Sequence, residues 1–135
     1  MIPVAHVHDA VLVVLRTTGL DVGDLTAPPG NLAVYGVLEH PPGTQRVGTV
    51  AIPEQGATVR VRIRGVARSK TPGTARTAAQ DVAHRLGAAL LDRAVPIAGT
   101  GWECVGRTHV VDSGLDLQGE VANTVDDYDL DIAKA

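Results

Sequence analysis

Hydrophobic and polar positions along this chain change rhythm several times, and each change marks an element. Val4, Val7, Val11, Val14 and Leu15 recur at helical spacing and predict an amphipathic helix over 4–15. Pro3 stands where a first-turn proline is tolerated, and Gly19 is a candidate stop. The β-branched content lowers intrinsic propensity, so burial must hold this helix. Residues 20–31, punctuated by Gly23, Pro28, Pro29 and Gly30, read as loop. Leu32 to Leu38 forms a short, mostly apolar strand. The stretch 39–57 holds Pro41, Pro42, Gly43, Gly48, Pro53 and Gly56 and reads as a long loop or arm, with Thr49 to Ile52 a candidate hairpin within it.

The clearest alternation is Val59-Arg60-Val61-Arg62-Ile63-Arg64, inside a strand predicted over 57–67. Thr71-Pro72-Gly73 breaks it, and Thr74 is a candidate cap for a helix over 75–92. The apolar face of that helix is rich in alanine, which lets a helix approach a sheet closely. Arg85 and Arg93 fall toward its C-terminal end, where cations suit the macrodipole. Trp102 to Val111 is a strand interrupted by Gly106, residues 112–124 are polar and read as loop, and Val125 to Ala133 closes the chain as a strand. The order α-β-loop-β-α-β-β predicts an α+β fold: a mixed, mostly antiparallel sheet with two helices packed on one face, in a single domain over 1–135.

Composition narrows the function classes. At 135 residues the chain is long enough to bury a core without staples. A formal net charge of −3 argues against a general affinity for nucleic acid. No Phe, one Trp and two Tyr leave no aromatic platform for stacking bases or sugars. The lone Cys104 forms no internal disulfide, so no oxidising compartment is needed. The start of the chain has no basic n-region, and no apolar run reaches membrane-spanning length; both predict synthesis and residence inside the cell.

Candidate catalytic and metal-binding residues are few. His6 and His8 are two apart, so a helix sends them to different sides, and both are expected to face solvent. His40, His84 and His109 lack ligand-like spacing. Cys104 and His109 are placed on opposite faces by strict alternation, which separates the thiol from the nearest base. Gly99-Thr100-Gly101 and Gly43-Thr44 lack the rest of a phosphate loop. Asp112, Asp116 and Glu120 lie in the expected polar loop without the EF-hand pattern. No metal, cofactor or catalytic residue is therefore expected.

Two charge rows remain. Arg60, Arg62 and Arg64, extended by Arg68, line one strand; Asp127, Asp129 and Asp131 line the last, Asp127-Tyr128-Asp129-Leu130-Asp131-Ile132. They are expected either to pair across one sheet or to face another subunit, where complementary rows give register and partner choice. DNA contacted through phosphate is a third target for the arginines.

In order and texture the chain resembles the tail terminators, within the minor tail and tail-completion proteins, of long-tailed actinobacteriophages. The likeness rests on the opening helix Val4 to Leu15, the strand Ala33-Val34-Tyr35-Gly36-Val37-Leu38, the Pro-Pro-Gly turn and long loop before Val59 to Ile63, the stretches Ala78-Ala79-Gln80-Asp81-Val82-Ala83 and Ala88-Ala89-Leu90-Leu91-Asp92, and the closing strand Asn123 to Ile132. The resemblance implies a hexameric ring in the virion that caps the tail tube, halts its polymerisation and offers a head-joining surface. It implies the major tail tube protein and a connector or neck protein as partners, DNA only as passing cargo, and no cofactor, catalysis or membrane. A head-completion or neck protein is the nearest alternative. A small hydrolase or ligand-binding domain is the alternative from another class, and it requires a pocket with convergent polar groups.

Overall fold

A computed structural model of the chain describes residues 4–40, 45–46, 56–97 and 101–134. Eight elements follow in order: α1 (Val4–Arg16), β1 (Val22–Asp24), β2 (Val34–Glu39), β3 (Gln45–Arg46), β4 (Gly56–Arg68), α2 (Pro72–Asp92), β5 (Trp102–Gln118) and β6 (Val121–Lys134). The sheet runs β1-β2-β4-β6-β5, with β3 added beside β4. Among the described strands β1 and β2 pair in parallel and the other pairs are antiparallel. This is the α+β fold expected, with both helices over the same face.

The α1 stripe works as its spacing requires. Val7, Val11 and Leu15 are fully buried beside Val59, Val61 and Ile63 of β4 and Leu130 and Ile132 of β6. Carbonyls of its last turn are capped locally: Thr17 and Thr18 donate their hydroxyls to Val14 O and Leu15 O. Gly19 then turns in the left-handed region at φ 82°. Arg85 and Arg93 reach back to this turn, donating to Thr18 O and the Thr17 hydroxyl, so they tie α2 to α1.

Helix α2 begins a turn earlier than its apolar stripe suggests. Thr71 is its N-cap, with Pro72 in the first turn, and Thr74 lies inside the helix. Its alanine face buries Ala75 and Ala79, and Gly65 of β4 lies directly beneath. A Cβ at Gly65 would stand 2.8 Å from Ala79 O and 2.7 Å from Thr124 Oγ1. The close approach expected from small side chains thus needs a glycine on the sheet as well.

The structure corrects three loop assignments. The expected loop 20–31 contains β1, three residues too short to show a period, held by parallel pairing with β2. The expected loop 39–57 contains β3, which pairs Gln45 with Val59 and Arg46 with Thr58; the candidate hairpin Thr49 to Ile52 lies outside the described residues. The expected polar loop 112–124 is mostly strand. β5 continues to Gln118, turns through Gly119 at φ 62°, and β6 begins at Val121. Three register shifts along β5, between Cys104 and Gly106, His109 and Val111, and Asp112 and Leu115, break the alternation that would have revealed it.

Candidate functional site

The sheet face away from the helices carries the charge rows. Antiparallel pairing sets Arg60 opposite Asp129 and Arg62 opposite Asp127. Both contacts are two-pronged: Arg60 Nε and Nη2 donate to Asp129 at 2.8 and 3.1 Å, and Arg62 Nε and Nη2 to Asp127 at 2.8 and 3.2 Å. These aspartate bonds raise both guanidinium pKa values above their ordinary range, against partial desolvation. The inner pair is the drier, with the Asp127 side chain 11% exposed and Arg62 24%; the outer pair stands at 23% and 35%.

The two rows overlap only in part. Register puts Arg64 opposite Val125, so its Nε turns to Glu39 of β2 at 2.6 Å. Asp131 falls opposite Thr58 and accepts its hydroxyl at 3.0 Å. Arg68, at the far end of β4, donates to Asn31 at 3.3 Å. The result is a ladder of charged and polar contacts across β2, β4 and β6. Glu39 was the missed member; its only sequence signal is a single acidic residue ending an apolar strand.

On the helix face, α2 and the β5–β6 hairpin enclose a groove of about 610 Å³, lined in part by His84, Leu91, His109, Leu115, Asp126 and Tyr128. His109 Nε2 lies 3.0 Å from Asp126 Oδ1, and its ring stacks on Tyr128 with centroids 4.8 Å apart. Cys104 and His109 register with Ile132 and Tyr128, which share the helix face, so strict alternation misplaced them; the bulge after Cys104 restores the parity. The thiol is still a poor nucleophile. Burial pushes its pKa up, only partly opposed by Arg107, and Sγ donates to Gly106 O. Thr124 is likewise committed, bonded to both the N–H and the carbonyl of Gly65. The groove holds a His–Asp pair but no activated nucleophile among these side chains.

The histidines depart furthest from expectation. His6 is exposed, but His8 is buried at 6% exposure and bonded to Asp24. Tertiary packing against β1, invisible in the spacing, removes it from solvent. Asp116 and Glu120 are exposed on the hairpin. Among the described residues no group of three or more His, Cys, Asp or Glu is arranged to hold a metal ion.

The class defined by these observations is an α+β domain with one covered face and one charge-laddered face. Its fold is also that of a chain in the solved virion of a native gene transfer agent particle, with a TM-score of 0.65 over 97% of this chain and 94% of that one, at 16% identity. A second solved chain aligns over 90% of this one and 85% of its own length at 13% identity, with a TM-score of 0.42, too low to carry an argument. No protein-family model and no curated protein matches the sequence.

Proposed function

We propose that this chain is a structural protein of a phage-like particle, and within that class a tail terminator. It assembles in the host cytoplasm as a homohexameric ring, caps the tail tube at its head-proximal end, stops its polymerisation and offers the surface for head joining. The observation that carries this reading is the shared fold, over nearly the whole chain, with a chain of the gene transfer agent virion. Its partners are further copies of itself, the major tail tube protein and a head–tail connector or neck protein. The chain does no catalysis and needs no cofactor or membrane.

The charged face supports a docking role. A ring needs two different patches on one subunit, joined by a rotation that closes. The ladder has such polarity: Arg68 ends it on Asn31 and Asp131 ends it on Thr58, so a cationic end and an anionic end both meet neutral partners. Copies meet across the face that carries Arg60, Arg62, Arg64, Arg68, Asp127, Asp129 and Asp131; its ends, Arg68 and Asp131, set the register, while Arg60–Asp129 and Arg62–Asp127 stay paired within the subunit and shape the face. Because Arg60 and Arg62 are already engaged by aspartates, DNA passing this face meets little free positive charge.

Tube length is the test. Purified chain added to polymerising tube protein should shorten the tubes and decorate one end in electron micrographs. Tubes that grow on unchanged would refute termination, and binding to the connector without capping would reassign the chain to the neck.

A further inference from the structure

A second cluster lies away from the charged face, where α1, β1 and the end of β2 converge. His8 Nε2 stands 2.5 Å from Asp24 Oδ1, with the imidazole side chain 8% exposed. The Asp24 carboxylate engages Nε2, which leaves Nδ1 as the ring nitrogen without a partner among the described residues. The His40 ring stands beside it, centroids 4.6 Å apart and tilted by 44°. His40 bonds the backbone of Arg60. Both Nδ1 atoms are buried, and among the described residues neither has a hydrogen-bond partner. Burial, followed by the neighbouring His8, holds His40 below the usual 6.5, which keeps it neutral at pH 7.

Two imidazoles held through one nitrogen, by a carboxylate and by backbone, with the other nitrogen buried and unused, match the way metal-bound histidines are oriented. Two imidazoles on one zinc ion, at Zn–N of about 2.0–2.1 Å, put their centroids about 5 Å apart, close to the separation seen. We propose that Nδ1 of His8 and Nδ1 of His40 bind one divalent transition-metal ion of the zinc class, with Asp24 and the Arg60 backbone as the groups that orient them. Water completes the coordination, because no third His, Cys, Asp or Glu among the described residues joins the site. The ion acts as a clamp joining α1 to the ends of β1 and β2, whether or not the chain forms rings.

Isothermal titration of the full chain with zinc chloride should show one site. His40→Gln should abolish it, Asp24→Asn should weaken it about tenfold or more, and His84→Gln, at an exposed position, should leave it unchanged. His8 is buried, so His8→Gln perturbs the packing of α1 itself, and the wild-type chain supplies the direct readout. In a long-range 1H–15N spectrum, zinc should shift the Nδ1 resonances of His8 and His40 and leave those of His6 and His84 in place. The site is refuted if titration detects no binding, if His40→Gln binds as tightly as wild type, or if the two Nδ1 signals stay fixed at saturating zinc.

Discussion

Removing Arg62 should cost more than removing Arg60, although the two stand on the same strand and face the same kind of partner. The perturbation is a double-mutant cycle on each pair: Arg62→Ala with Asp127→Ala, and Arg60→Ala with Asp129→Ala. Asp127 keeps 11% of its side-chain surface and loses both guanidinium donors when Arg62 is cut. Charge-assisted hydrogen bonds contribute about 1.5–3 kcal/mol, and a carboxylate stranded in a drier site adds to the loss. Asp129 keeps 23% and its arginine 35%, so solvent screens that pair toward the exposed range of about 0.2–1 kcal/mol. The expected coupling is about 1.5–2 kcal/mol for 62–127 and under about 1 kcal/mol for 60–129. Urea unfolding at one fixed protein concentration measures both, since self-association would shift apparent stability. Raising the salt should erode the outer coupling first. Equal couplings, or an inner value below about 0.3 kcal/mol, would refute the ladder as drawn from burial.

Three further outcomes follow from local geometry. Gly65→Ala should destabilise the fold by about 1–3 kcal/mol, read by thermal unfolding, because its Cβ would press on the α2 backbone at Ala79 O; an unchanged midpoint would mean that helix and sheet are further apart. Cys104 should react slowly with thiol reagents at neutral pH, and its protective contribution to stability should be full below the ordinary thiol range and fade as pH rises through the elevated folded value; rapid labelling at pH 7 would contradict its burial. In metal-free buffer His40, depressed in the folded chain, should contribute stability above its usual 6.5 that is lost as pH falls through the folded value; His40→Gln should flatten that limb of the stability profile, and an unaltered limb would refute the assignment.

Periodicity was enough wherever an element buried a single face without interruption. The α1 stripe, the arginine strand β4 and the alanine face of α2 were all legible, because each side chain's environment repeats with the backbone. The failures share a cause. β1 is three residues long and exists only through its partner β2. β5 carries register shifts that reset the alternation, which hid its second half and put Cys104 and His109 on the wrong sides. Of the charge rows, the residue types were visible but the register was not. A shift of two positions sends Arg64 to Glu39 and Asp131 to Thr58. The His8–His40–Asp24 cluster joins three elements across 32 residues of sequence, and local spacing carries no signal of such a meeting.

In the proposed role the chain works by docking to copies of itself. Native mass spectrometry of the purified protein tests this most directly. A closed species of six times the 14.0 kDa chain is expected, one that loses subunits when either Arg68 or Asp131 alone is reversed in charge and regains them when both are. A particle that remains a single chain at micromolar concentration and above would contradict it.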